Sequence, residues 1–303
     1  MRTIQNTTRL SRLALFAATI IWGTSFVVVK NAVDEIPPNF LLAFRFGIGT
    51  LFLTAVFFKR LRAINWEYAK KGALMGLLLF LAYSFQTVGI TDTTPGKNAF
   101  LTTSYCILVP FLYWIFQKKR PSGAQFLAAL ICFAGIGLVS LKGGFSIGFG
   151  DAFTIISGLF YAAHMVAVAI FTQDRDPVLY TILQFLFAAV CAWAVGFFTE
   201  TMPAAVGWGS ICGVLYLAVF ATGVAMLLQN IGQKYTPAST ASIILSLEAV
   251  FGVVFSILVY GEQLTLRTLM GFLLIFAAIL LAETGFSFLR PKKRGQATSI
   301  ESQ

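Results

Sequence analysis

Charge is what this sequence has least of. Only 11% of its 303 residues are Asp, Glu, Lys or Arg, against about 25% in an ordinary soluble domain. It has one histidine, and its four cysteines, Cys106, Cys132, Cys191 and Cys212, show no paired spacing. These shortages argue against a zinc site of the usual Cys/His type and against a disulfide framework. The cysteines read as small apolar packing residues. No nucleotide-binding motif stands out: GITDTTPGKN, Gly89 to Asn98, is too long in its spacing for a phosphate loop and puts Asn98 where Ser or Thr must hold magnesium. No cofactor is expected, and no loop is long enough for a soluble domain.

What fills the chain instead is apolar, 58% of all residues. Ten runs of 18 or more residues carry few or no charges: Leu13 to Asn31, Asn39 to Phe58, Gly72 to Thr91, Pro95 to Phe116, Ala124 to Leu141, Asp151 to Thr172, Pro177 to Phe198, Gly207 to Asn230, Pro237 to Tyr260 and Leu266 to Leu289. Each is long enough to cross a hydrocarbon core of about 30 Å as a helix. The chain reads as an all-α integral membrane protein of ten transmembrane helices, with the lipid bilayer as its surroundings. The first run follows Arg2, Arg9 and Arg12 as a signal peptide would. It is too long, ends on no Ala-x-Ala site and has a counterpart later in the chain, so it is retained as a helix.

The net charge of +10 is explained by its distribution. With the N-terminus in the cytoplasm, 17 of the 22 Lys and Arg residues fall on the cytoplasmic side, Lys119 and the basic tail among them. Lys30, Lys97, Lys142 and Arg267 fall on the other side, and Arg45 lies within a helix. The positive-inside rule accounts for this split without any nucleic acid. Residues 1–12 and 290–303 become cytoplasmic tails.

The chain also repeats itself. QNIGQKYTPAS at Gln229 echoes QTVGITDTTPG at Gln86, and a shift of 139 residues carries Trp22 onto Tyr161, Ser25 onto His164 and Arg45 onto Gln184. A shift of 142 carries Ala99 onto Ala241 and Leu138 onto Leu280. Residues 13–141 and 149–289 are thus expected to be two copies of a five-helix unit. Five is odd, so the second copy enters the membrane from the opposite side and the repeat is inverted. Many secondary transporters alternate access on inverted repeats, with the substrate held near the midplane. Thr94-Pro95 and Thr236-Pro237 are expected to start the fourth helix of each copy, with Pro at the first position and Thr as its cap.

IIWGTSFVVVK in the first helix, FRFGIGTLFL in the second, TPGKNAFLTTSYCILVPFL in the fourth, and TPASTASIILSLEAVFGVVFSILVYGEQLT and LMGFLLIFAAILLAE in the last two resemble the EamA family of the drug/metabolite transporter (DMT) superfamily. The family often has Pro after the ninth-helix Glu, where this chain has Ala249. The resemblance implies export of metabolites, amino acids or drugs across a bacterial cytoplasmic membrane. It also implies a central cavity lined by helices one, three, four, six, eight and nine.

Candidate residues for binding or coupling are the polar and aromatic groups within the spans. Glu248 lies about halfway along the ninth helix, where a charge costs at least about 2.5–3.5 kcal/mol unless it faces a cavity or a partner. It reads as a site for a proton or a substrate ammonium, or as a structural carboxyl, while Ser239, Ser242 and Ser246 mark the opposite face of the same helix. Arg45 either reaches the outer interface or pairs with a substrate carboxylate or Glu248. His164 is a packing residue or a proton relay, one turn from Tyr161, and the repeat makes Ser25 and Trp22 equivalent to them. Tyr83 with Gln86, and Asn98 with Thr102 and Tyr105, share helix faces, and Gln229 with Asn230 completes the set. These groups suit an amphipathic small molecule, with protons as the candidate coupling ion, or serve as hydrogen bonds between helices. Glu262 reads as a loop residue, and Gly72, Gly76, Gly209 and Gly213 as points of close helix packing. An intramembrane enzyme acting on a lipid or isoprenoid is the alternative, but paired acidic motifs for diphosphate chemistry are absent. A channel would need a charged ring or a filter-like segment.

Overall fold

The computed structural model describes residues 2–118, 120–141, 147–173, 175–236 and 238–285. Lys119, Lys142, Pro237 and the tail 290–303 lie outside the described residues, as do the side chains of Ser239 and Ser242. Among the described residues the secondary structure is helical: α1 (Arg2–Ala32), α2 (Pro38–Phe57), α3 (Trp66–Thr91), α4 (Pro95–Thr103), α5 (Tyr105–Gln117), α6 (Gly123–Ser140), α7 (Phe149–Phe171), α8 (Pro177–Thr199), α9 (Trp208–Tyr216), α10 (Ala225–Tyr235), α11 (Ala238–Tyr260) and α12 (Leu266–Thr284). A 3-10 turn (Phe58–Ala63) follows α2, and a π-helical segment (Leu217–Val224) joins α9 to α10.

Among the described residues, eight stretches are long and apolar enough to cross a membrane, α4 with α5 and α9 to α10 each counting as one. Ile244–Tyr260 and Leu266–Ala282 are shorter apolar helices. Large apolar side chains face outward along the bundle, Phe198 at 90% and Leu258 at 72% exposure among them, a surface that belongs in lipid rather than water. Trp66 and Trp208 stand exposed at helix starts, the position of an aromatic belt.

Helix starts follow from local sequence. Pro38, Pro95 and Pro177 occupy first-turn positions where a missing N–H is harmless. The Thr94 hydroxyl accepts from the Lys97 amide at 3.3 Å, and Ser122 with Gln125 forms a capping box on α6. Two features add detail to the expected spans. α1 begins at Arg2, so residues 2–12 of the expected tail are helical and run on into the first span. The fourth span is broken at Ser104, whose amide and hydroxyl both turn back to the Leu101 carbonyl, at 3.3 and 2.6 Å. Pro110 then stands inside α5 without an amide to donate.

The closest helix crossings need glycine. A Cβ on Gly23 would lie 2.3 Å from Phe251 Cβ, where α1 meets α11; one on Gly72 or Gly76 would lie 2.6 Å from Leu183 or Phe187 Cβ on α8. Gly213 approaches Val28, but Gly209 faces open space and makes no such contact. α3 packs on α7 and α8, α1 on α10 and α11, α4 on α11, α2 on α8, and α6 on α12.

Loops gather at two ends. Where α1 ends, Lys30 donates to the Ile90 and Thr91 carbonyls at 2.7 and 3.0 Å, Arg267 to the Leu141 carbonyl at 2.5 Å, and Tyr260 to Asn31. Where α2 ends, Arg60 meets Asp176 at 2.9 Å and Arg175 meets Glu67 at 2.8 Å.

Candidate substrate cavity

Halfway between these ends, α1, α3, α4, α5, α7, α10 and α11 surround a cavity. In the order of the runs expected from the sequence, these belong to the first, third, fourth, sixth, eighth and ninth. Of the candidate residues, Trp22, Tyr83, Gln86, Tyr105, Tyr161, His164, Gln229 and Glu248 line it.

Glu248 is only 5% exposed and projects from α11 toward the break between α4 and α5. The Thr103 hydroxyl stands 3.5 Å from its Oε1, and Tyr105 hydrogen-bonds the same carboxyl. This settles which face of α11 looks inward. From the carboxyl a row of rings crosses the cavity: Tyr105 to Tyr161 at 5.9 Å between centroids, and Tyr161 to Tyr83 at 5.2 Å. Arg45 ends the row with its guanidinium carbon 4.6 Å from the Tyr83 centroid.

Arg45 is 2% exposed and its Nε donates to the Thr222 hydroxyl at 2.5 Å. It therefore does not reach an interface, which corrects that expectation. Nor does it form a salt bridge with Glu248 among the described residues. The cause is placement: Arg45 turns across α2 toward the π-helical segment and Tyr83, away from α11.

Gln86 ties the halves of the wall together. Its Nε2 donates to Thr102 at 3.0 Å while Tyr161 donates to its Oε1 at 2.9 Å. His164, 1% exposed, shares a 2.8 Å hydrogen bond with Gln184 of α8. The Trp22 indole donates to the Ala221 carbonyl in the π-helical segment at 2.8 Å, which fixes its ring against the wall.

Arg45, Asn98 and Asn230 are not among the lining side chains. Asn98 donates to Thr154 at 2.8 Å and to the Gln86 carbonyl at 3.2 Å. Asn230 joins α10 to α8 through Thr181 at 2.7 Å. Lining residues that the sequence did not single out are Phe26, Leu79, Met165 and Met226. A signal existed for two of them: Met165 is Phe26 shifted by 139 residues, and Met226 relates to Tyr83 as Gln229 does to Gln86.

Above the cavity, at the end where α1 terminates, four carboxylates close four helix N-termini. Glu200 accepts from the Asn39 amide at 3.0 Å, the Asn39 side chain at 2.7 Å and the Phe40 amide at 3.1 Å, all at the start of α2. Glu262 is a loop residue, yet it accepts from Thr94 at 2.5 Å and the Gly96 amide at 3.2 Å at the start of α4. Glu35 takes the Gly207 amide before α9 at 2.7 Å, and Asp92 the Gly150 amide of α7 at 3.1 Å. Each joins residues before 142 to residues after 146. Helix N-termini favour anions because their first amides lack intrahelical partners.

The family model described as the EamA-like transporter family matches residues 10–141 and again 148–284. A protein of Archaeoglobus fulgidus named an uncharacterized transporter is 34% identical over 269 residues, 89% of this chain and 84% of its own length. The uncharacterized transporter YvbV of Bacillus subtilis is 26% identical over 293 residues, 90% of this chain and 92% of its own. A solved crystal structure shares the fold at a TM-score of 0.68 and 17% identity, across 92% of this chain and 96% of the other. These likenesses point to a multi-pass transporter rather than an enzyme.

Proposed function

The chain belongs to the EamA-like transporter family, and from that premise we propose that it is a secondary carrier exporting a small amphipathic metabolite, amino acid or drug by alternating access. The observation that carries the reading is the cavity itself: it lies between two halves of the chain, and its wall contains one buried acid, Glu248.

Ten spans arranged as two inverted five-helix copies, 13–141 and 149–289, are supported by how the helices pair. α3 on α7 has its counterpart in α10 on α1, and α1 on α11 in α7 on α4 and α5. α2 with α8, α4 with α11 and α6 with α12 are counterparts of themselves. The cavity follows the same rule, since Trp22 with Tyr161, Ser25 with His164, Phe26 with Met165, Tyr83 with Met226 and Gln86 with Gln229 all line it as repeat mates. Glu248 and Tyr105 break the symmetry and give the site its chemistry.

The distribution of basic residues supports a reading in which the α2-terminating end, and both termini, face the cytoplasm of a bacterial inner membrane. The carboxylate contacts then form the closed external seal. Hydrogen bonds to a charged group contribute about 1.5–3 kcal/mol each, whereas exposed ion pairs such as Arg60 with Asp176 contribute little. Opening toward the cytoplasm is the easier movement from this conformation, which suits loading from inside and export. Protons are the coupling ion of this reading, with Glu248 as their site.

Purified protein in sealed vesicles tests the proposal. Solute flux that saturates with concentration and responds to an imposed pH gradient is expected of a carrier. Flux that rises without saturation would mark a channel and overturn the reading.

A further inference from the structure

The charges around the cavity are few and unevenly placed. Glu248 is the sole acidic side chain lining it among the described residues, and no Lys or Arg lines it. Next to that carboxyl stand the faces and edges of Tyr105 and Tyr161, with Tyr83 and Trp22 on the same wall. Aromatic rings attract cations through their quadrupole, by about 0.5–2 kcal/mol each depending on desolvation. A buried acid among such rings is chemistry for holding a positive charge.

The rings are held in place. Tyr161 is tethered to Gln86 at 2.9 Å and Trp22 to the Ala221 carbonyl at 2.8 Å, so little ordering remains to be done when a ligand arrives. Phe26, Met165 and Met226 supply an apolar remainder of the wall, and methionine adapts to bodies of varied shape.

The opposite charge is out of reach. Arg45 lies at the far end of the row, behind Tyr83, with its Nε engaged by Thr222 at 2.5 Å. Two ring-to-ring steps, of 5.9 and 5.2 Å, separate Tyr105 beside the acid from Tyr83 beside the guanidinium. An α-amino acid carries its ammonium and carboxylate on one carbon, so it cannot meet both groups at once. Seated on Glu248, its carboxylate would enter a cavity without a cation to receive it. Leaving a buried charge unpaired is strongly unfavourable.

We infer that the ligand of this cavity is a monovalent organic ammonium with an apolar, ring-sized body, bound with its charge on Glu248 and its body among Tyr83, Tyr105, Tyr161 and Trp22. The inference narrows the amphipathic substrates of the carrier reading, and it rests on that reading for its physiological meaning. It makes Glu248 a charge-reading residue and excludes carboxylates from the preferred ligands.

The test compares three probes of one shape on the purified full-length protein: phenethylammonium, phenylpropionate and phenylalanine, by calorimetric titration in detergent micelles. Phenethylammonium should bind at least about tenfold more tightly than the other two, a difference of about 1.4 kcal/mol. Glu248→Gln should abolish the preference with the unfolding temperature unchanged, and Glu248→Asp, which keeps the charge, should retain it. Equal or tighter binding of either carboxylate, no saturable binding of the amine, or an unaltered preference in Glu248→Gln overturns the inference. Flux in sealed vesicles separates the two claims. An amine that binds but is never transported sinks the carrier reading alone, whereas a saturable carrier of phenylpropionate that ignores the amine sinks the ligand class alone.

Discussion

Glu200, at the C-terminal end of α8, holds Asn39 by both its backbone and its side chain, with distances of 3.0 and 2.7 Å. Asn39 in turn accepts from Ser84 of α3 at 3.0 Å, so one carboxylate fastens α2, α3 and α8 at a single point over the cavity. Separation of the halves at this end requires that this point be released.

Glu200→Gln keeps the shape of the side chain and removes its charge. Labelling of a cysteine at cavity position Ser25, in a background without Cys106, Cys132, Cys191 and Cys212, should accelerate about tenfold with an impermeant thiol reagent added outside, as loss of a charge-assisted bond predicts. An unchanged labelling rate would remove Glu200 from the external seal.

Glu248→Gln retains hydrogen-bonding capacity toward Thr103 and Tyr105 but cannot ionise. Transport in sealed vesicles should fall by about tenfold or more and lose its response to a pH gradient, because buried acids within a membrane mark coupling pathways. The unfolding temperature should stay within a few degrees of the parent's. Unaltered transport kinetics would exclude a coupling role.

Arg45→Lys keeps the charge but loses the Nε donor and the planar face stacked on Tyr83. Thermal unfolding should show a loss of about 1–3 kcal/mol. In a double-mutant cycle with Thr222→Val, the two changes should couple by about 0.5 kcal/mol or more, as groups in contact do. Strict additivity would mean that the 2.5 Å contact contributes no stability.

Gly23→Ala places a methyl group 2.3 Å from Phe251 Cβ. Neither helix can absorb it without moving, so overpacking should cost about 1–3 kcal/mol and lower the unfolding temperature. Gly209→Ala, facing open space, is the control and should have no such effect. Equal behaviour of the two variants would show that α1 and α11 need not approach so closely.

Much of the cavity wall was legible in the sequence. Apolar run length located the eight stretches that are long and apolar enough to cross a membrane among the described residues, since a helix crossing lipid has no alternative way to satisfy its backbone. The cost of a charge in lipid singled out Glu248, and helical periodicity put Tyr83 with Gln86 on one face. Phe26, Leu79, Met165 and Met226 carried no such mark, because an apolar residue at a cavity looks in sequence like one facing lipid. Asn98 and Asn230 were polar for another reason, as bonds between helices.

What the sequence determines by itself is set by local physics: membrane residence, apolar helical stretches, helix starts and the internal echo. The three-dimensional structure decided everything that depends on which helix meets which. It broke the fourth span at Ser104 beside Glu248, aimed Glu248 at Tyr105, turned Arg45 away to Thr222 behind Tyr83, and brought Glu35, Asp92, Glu200 and Glu262 to helix ends far along the chain. Rotation of a helix about its axis changes no hydropathy and no span length, so only packing against its neighbours can fix it.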